Sequence, residues 1–404
     1  MYSIKKQSIL YHSAFLPGKL SIKLQKDVKT QFDLSLVYTP GVAEISKLIS
    51  FDLSNVYNYT AKGNLIAVIS DGSAVLGLGN IGALSSKPVM EGKSALFKCF
   101  AGIDAFDIEI ETSNVDLFEV IKKISNTFGA INIEDVRAPD CFDLEAKLVA
   151  SLNIPVLHDD QHGTAVVVAA GLLNALELQG KKIECIKLVC FGAGAAGISI
   201  VKMLLKFGLK KNNLFLIDSK GLVSVNRDDI NIYKKEFAVK DILEIDRVVE
   251  DSDVLIGVSG ENIFTPKMVR IMNSKPIIFA LSNPVPEIYP CVAKSIRSDL
   301  IIATGRSDFN NQVNNVLCFP YLFRGALDVR AKKINDAMLL SAVNSIRDLA
   351  KCDVPVYIKK AYNCNVLEFG PDYILPKPID KRLLYCVSSS VALSAIKSGI
   401  SNFY

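Results

Sequence analysis

Beyond Gly163 the chain alternates short apolar runs with amphipathic stretches: IKLVCF, AAGISIVKMLLKFG, NLFLID, DVLIGVSG, KPIIFALSNP and LIIATG. Runs this short and apolar throughout fit strands covered on both faces, and the helical stretches between them fit the crossovers of a doubly wound parallel sheet. Before Gly163 the elements are shorter and mixed, joined by glycine- and proline-bearing turns such as YTPGVA, SDGSAVLGLGNIG and SSKPVMEGK. The change of character predicts two domains, a mixed α/β one over 1–162 and the doubly wound one over 163–404. Past Tyr321 the pattern is helical through FRGALDVRAKKINDAMLLSAVNSIRDLAK, with a last helix expected over 383–397. Its small and apolar residues predict packing against the domain or a partner subunit.

Two of the apolar runs end in acids. The segment IPVLHDDQHGTA passes from a strand-like stretch into Asp159 and Asp160, and INIEDVRAP does the same into Glu134 and Asp135. One such pair would read as solvated loop charge. Two pairs, each directly after a strand, predict a shared site at the strand ends. With oxygen donors and no thiolate in either segment, the expected ion is Mg²⁺ or Mn²⁺ rather than Zn²⁺. His158 and His162 stand four apart, as on a zinc-protease helix. The strand-like IPVL before them argues against that, and both are expected to pack or to support the acids.

Composition narrows the picture. A chain of 404 residues can bury two ordinary cores. No apolar run is long enough to span a bilayer, the best being the broken segment 165–178. The start, MYSIKKQSILYHSAF, has no continuous apolar core or small-residue cleavage site, so the expectation is a cytoplasmic protein. Nine scattered cysteines without a CxxC pair suggest reduced core residues. A charge of +4, from 46 basic and 42 acidic residues, gives no reason to expect nucleic acid.

The pattern GxGxxG occurs twice. At Gly77, Gly79 and Gly82 it is followed by Pro88, too soon for a dinucleotide-fold helix, and a turn is expected that could line a substrate pocket. At Gly192, Gly194 and Gly197, with Ala195 and Ala196 between, it follows IKLVCF and opens a helix. There the glycines allow a tight turn, close approach to a pyrophosphate and close helix–strand packing, in the Rossmann manner. The next strand ends in Asp218, placed to accept bonds from the adenine-ribose hydroxyls. Its charge disfavours the extra phosphate of NADP, so NAD is slightly favoured, although Ser219 and Lys220 could hold that phosphate.

Singly, Tyr38 in VYTPGVA and Lys93 in PVMEGKSALFK would be a packed tyrosine and a surface lysine. Together, VYTPGVA, SDGSAVLGLGNIG, KPVMEGKSALFKCFAGIDAF, IEDVRAPDCF, HDDQHGTA, ALSNP, TGRSDFNNQVNN and YILPKPIDKRL resemble, in order, the motifs of malic enzymes of the short, bacterial type. The resemblance implies oxidative decarboxylation of (S)-malate to pyruvate and CO₂ with reduction of NAD(P), assisted by Mg²⁺ or Mn²⁺, in a homodimer. It implies Glu134, Asp135 and Asp160 as metal ligands, Lys93 as general base, Tyr38 as general acid and Asp159 beside Lys93. Asn283, Asn314 and Asn315 would bond substrate or nicotinamide ribose. Larger malic enzymes carry an arginine after the DG turn where Ser73 and Ala74 stand here, leaving Lys98 and backbone amides as candidates for the malate carboxylate. Asp107 and Asn310 replace more usual prolines. Two rival readings are a metal-independent dehydrogenase of the amino-acid type, which leaves the acids unexplained, and a non-catalytic nucleotide sensor, which leaves Tyr38 and Lys93 unexplained.

Overall fold

The computed structural model describes residues 4–14, 17–75, 77–240 and 243–402. Four strands, β1 (Leu65–Ser70), β2 (Asp104–Glu109), β3 (Ala130–Ile133) and β4 (Val156–His158), form a parallel sheet in the order β2-β1-β3-β4. β1, β3 and β4 are buried along their whole length, as the apolar runs require.

The second sheet has six strands: β5 (Leu188–Phe191), β6 (Leu214–Asp218), β7 (Gly221–Leu222), β8 (Val254–Gly257), β9 (Ile277–Ala280) and β10 (Ile301–Thr304). Their order is β10-β9-β8-β5-β6-β7, parallel except for β7. The order reverses between β5 and β8, the crevice where a doubly wound sheet takes its ligand. The expected doubly wound architecture is therefore present, with an α/β layer before it.

Helix Asp159–Gln179 joins the halves and is buried on most of its surface. It packs against helices Ala195–Lys206 and Asp336–Leu349, and it runs straight through the division expected at 162/163. A single apolar core reaches from the β1 strand residues to Leu188 and Phe279 of the second sheet.

Three expectations need correction. Pro88 does not end a helix: helix Ala83–Ala101 runs through it. Pro88 stands one turn into that helix, so it costs the bond its N–H would have made to the Leu84 carbonyl, a loss the packing of the helix outweighs. The tail is not one helix; Phe319–Asp328 and Asp336–Leu349 are separated by a turn in which Arg330 takes φ 48°. Of the nine free cysteines only Cys141, Cys190 and Cys318 are buried. The last helix, Arg382–Lys397, lies where expected. No helix among the described residues is long and apolar enough to cross a membrane.

Candidate active site

Strand register builds the acid cluster. Ile133 pairs with Ile69 on one side and His158 on the other, so the residues after them, Glu134 and Asp159, leave neighbouring strand ends together. One oxygen from each of Glu134, Asp135 and Asp160 lies within 4.8 Å of the others. Asp160 Oδ2 also accepts the backbone N–H of Asp135 at 2.9 Å. Asp135 itself takes φ 53°, a strained conformation for a residue with a side chain. Three carboxylates this close repel one another unless protons or a cation neutralise them. The all-oxygen donor set suits a hard divalent cation.

Lys93 enters from the opposite layer. Helix Ala83–Ala101 lies across β1 and β2 and buries Met90, Lys93, Ser94, Phe97 and Ala101, one face of an amphipathic helix. Lys93 is only 7% exposed. Its Nζ lies 2.8 Å from Glu134 Oε1, is bonded to Asp159 Oδ2, and sits 4.1 Å from the centre of the Phe319 ring. Burial works against its charge, but the carboxylates of Asp159, Glu134 and Asp160 outweigh it and hold the ammonium above the usual lysine value. Burial pushes Asp159 and Glu134 up, with Lys93 opposing it in both. A lysine neutral by desolvation alone is thus not what this arrangement contains.

Several supporting residues escape sequence reasoning. Asn132, two positions before Glu134 on β3, donates to Glu134 Oε2 at 2.9 Å. Asn315 donates to Asp159 Oδ2, whereas Asn314 turns its side chain back to cap Val316. Gly163 lies one helical turn after Asp159, and a Cβ there would fall 1.8 Å from Asp159 Oδ1. Glu145 bonds the backbone N–H of His158 at 2.8 Å and His162 Nε2 at 3.0 Å. Both histidines are thereby used in holding the segment.

Two assigned residues stand apart from the cluster. Lys98 pairs with Asp104 at 2.6 Å, its side chain 59% exposed, which removes the structural basis for placing it on a malate carboxylate. On a buried-face count it falls outside the stripe that carries Lys93. Tyr38 is 70% exposed, just past helix Gln31–Val37. Its surroundings explain why: helices Ile4–Ser13, Gln31–Val37 and Val42–Phe51 bury no residue at all, leaving Phe32, Leu34, Leu36 and Phe51 uncovered. Asp107, in the place of a proline, pairs with Lys87 at 2.6 Å, and the Asn310 carbonyl accepts from Lys377.

The dinucleotide site has the expected backbone. Gly192 takes φ 114°, and a Cβ on it would lie 2.5 Å from the carbonyl of Val258; one on Gly197 would lie 1.8 Å from the carbonyl of Gly192. A Cβ on Gly194 would meet open space, where a phosphate can approach. Ala195 and Ala196 begin helix Ala195–Lys206. Asn283 sits at the end of β9, its Nδ2 3.4 Å from the Leu281 carbonyl. At the end of β6, Asp218 does not present a bare charge. Arg227 grips both its oxygens at 2.8 and 3.0 Å, and Lys234 adds a bond at 2.7 Å. The two cations overcome the effect of burial and hold the Asp218 carboxyl below its ordinary value. The repulsion that favoured NAD is therefore cancelled locally.

Residues 17–119 match the model of the malic enzyme N-terminal domain and residues 161–357 that of the malic enzyme NAD binding domain. The chain belongs to the malic enzyme family. It is 50% identical to the NADP-dependent malic enzyme of Halomonas elongata, over 99% of this chain and 96% of that one. It is 46% identical to the NAD-dependent malic enzyme of Rhizobium meliloti, over 98% of this chain and 52% of that one. The chain thus spans nearly the whole of one curated malic enzyme and about half the length of others. Among solved structures, malic enzyme from Pyrococcus horikoshii matches with a TM-score of 0.90 and 40% identity, over 99% of this chain and 92% of that one. That match takes in both sheets and the tail.

Proposed function

We propose that the protein oxidises (S)-malate and decarboxylates the product to pyruvate and CO₂, reducing NAD(P). The observation that carries this is Lys93, buried between Glu134 and Asp159 at the ends of β3 and β4, beside a triad of hard oxygen donors. A metal-independent amino-acid dehydrogenase would have no use for that triad. The proposed metal residues lie within 1–162 and the dinucleotide glycines within 163–404, while Asn315 reaches across from the second half to Asp159.

Glu134, Asp135 and Asp160 would hold Mg²⁺ or Mn²⁺. When bound, the cation supplies Lewis-acid stabilisation of the negative charge that develops on the 2-oxygen as CO₂ leaves, worth roughly several kcal/mol. With a cation bound, Lys93 would lose the part of the anionic field that comes from Glu134 and Asp160, Asp159 remaining beside it, and would act as the base that takes the C2 hydroxyl proton as hydride departs. Asp159, fixed by Asn315 and given room by Gly163, aims the amine. Protonation at C3 of the enol falls to Tyr38. Because the arm that bears Tyr38 is apolar and uncovered within its own chain, we assign its cover to a second copy, in a homodimer that presents Tyr38 to the partner's cluster. Arg227, Lys234 and Lys220 outnumber Asp218 and Asp229, with which they pair, by one charge, a surplus that suits the 2′-phosphate, so we assign NADP as the preferred cofactor.

The test separates metal from cofactor. Asp135→Asn and Asp160→Asn should weaken Mn²⁺ binding and cut turnover by about 10² or more, while NADPH affinity by fluorescence stays within about twofold. Equal losses of metal and cofactor affinity in folded variants would reject the assignment.

A further inference from the structure

Glu287 has no part in the roles assigned so far, yet it is fully buried, 0% exposed. Its Oε1 accepts the backbone N–H of Ser259 at 3.2 Å, in the loop after β8, and its Oε2 accepts that of Ser282 at 2.9 Å, in the loop after β9. Its own carbonyl takes the N–H of Phe264 at 3.0 Å, and that of Pro286 takes the N–H of Asn262 at 3.1 Å. A second stitch thus joins the same two loops. Gly257, the last residue of β8, makes the space: a Cβ there would lie 2.4 Å from Glu287 Cδ. Burial raises the carboxyl above its ordinary value, and the backbone amides offset only part of that. A carboxylate kept in such a place at such a cost has its oxygens committed to particular donors.

What those donors flank is Asn283. The residue follows Ser282 directly, and the turn it begins is closed in from other sides as well. Arg306, from the loop after β10, donates to the Pro284 carbonyl at 2.7 Å. A Cβ on Gly305 would lie 2.5 Å from Asn283 Nδ2. From the first sheet, the turn of the earlier GxGxxG arrives: a Cβ on Gly77 would lie 2.9 Å from the Asn283 carbonyl. The loops after β8, β9 and β10 therefore meet at one turn, at the strand ends beside the crevice.

We propose that Glu287 is a positioning residue for the nicotinamide end of the cofactor, fixing the turn at Asn283 against the loop after β8 so that the Asn283 amide is presented to the ribose. The proposal rests on the reading of Asn283 as a cofactor residue. It places the effect of Glu287 on the dinucleotide and not on malate or metal.

Glu287→Gln keeps the shape and one acceptor but turns an NH₂ toward the other amide. NADPH affinity, read by fluorescence, should fall about tenfold, the scale of one lost charge-assisted bond. The KM for malate at saturating cofactor and the affinity for Mn²⁺ should stay within about twofold. Gly257→Ala displaces the same carboxylate without altering it and should give the same split, which covers the case in which one variant fails to fold. Asn283→Ala provides the reference. Loss of NADPH affinity in Asn283→Ala but in neither of the other variants would overturn the role of Glu287 alone. Unchanged affinity in Asn283→Ala would overturn the reading on which it rests. Parallel losses of NADPH, malate and Mn²⁺ binding with a large fall in Tm would show that Glu287 only holds the fold together.

Discussion

Lys93 shows how a side chain acquires a function that its type does not announce. Its place on the buried face of a helix takes it out of water, and the register of β3 and β4 brings Glu134 and Asp159 to meet it. Asp218 is the counter-case, a residue whose strand-end position was legible but whose charge state was not. Its neutralising partners, Arg227 and Lys234, follow 9 and 16 residues later and are brought back only by the turn through β7 and the loop beyond it. Arg227→Ala should therefore lower the ratio of kcat/KM for NADP to that for NAD by about tenfold, because Asp218 regains its influence at the 2′-position. A ratio within twofold of wild type would show that Arg227 serves only the local fold. The acids and the second glycine fingerprint could be recognised in the sequence because each follows a strand-like run, whereas Lys93, which singly reads as a surface lysine, was reached only through the resemblance to malic enzymes. Asn132, Glu145 and Glu287 could not, since their partners are fixed by tertiary packing.

The helix from Asp159 to Gln179 carries the aspartate bonded to Lys93 at its first residue and the junction of the two sheets along its length. Its first turn works because position 163 lacks a side chain, so that Asp159 can fold back over it toward Lys93 and Asn315. Gly163→Ala would usually favour a helix by about 1 kcal/mol. Here the added methyl would collide with Asp159 Oδ1, and kcat should fall by about 10² with little change in NADPH affinity. Undiminished kcat in that variant would mean that Asp159 is not held as described. Helix Ala83–Ala101 carries a related lesson. Proline near a helix start was read as a terminator, but the packing of Met90, Lys93 and Phe97 against the first sheet outweighs one missing hydrogen bond. The break within the tail was equally hidden, since the apolar pattern continues on both sides of Arg330.

The second sheet was legible because parallel strands buried on both faces leave apolar runs, whereas the first sheet read only as short mixed elements, its strand β2 being nowhere fully buried. The three helices Ile4–Ser13, Gln31–Val37 and Val42–Phe51 were not legible, because none of them buries a residue in its own chain and the sequence cannot say what covers them. If a second copy does, light scattering should give about twice the 44.1 kDa chain mass. Mixing inactive Lys93→Ala chains with impaired Tyr38→Phe chains should then restore up to about a quarter of wild-type activity, since each mixed dimer keeps one intact site. No restoration would place Tyr38 with its own chain's cluster or outside catalysis. All of these expectations depend on the reaction itself. Purified protein supplied with (S)-malate, Mn²⁺ and NADP should form reduced cofactor and CO₂ in a one-to-one ratio, and a chelator should stop both together. Reduced cofactor without CO₂, or turnover indifferent to the chelator, would contradict the assignment of a metal-assisted oxidative decarboxylation.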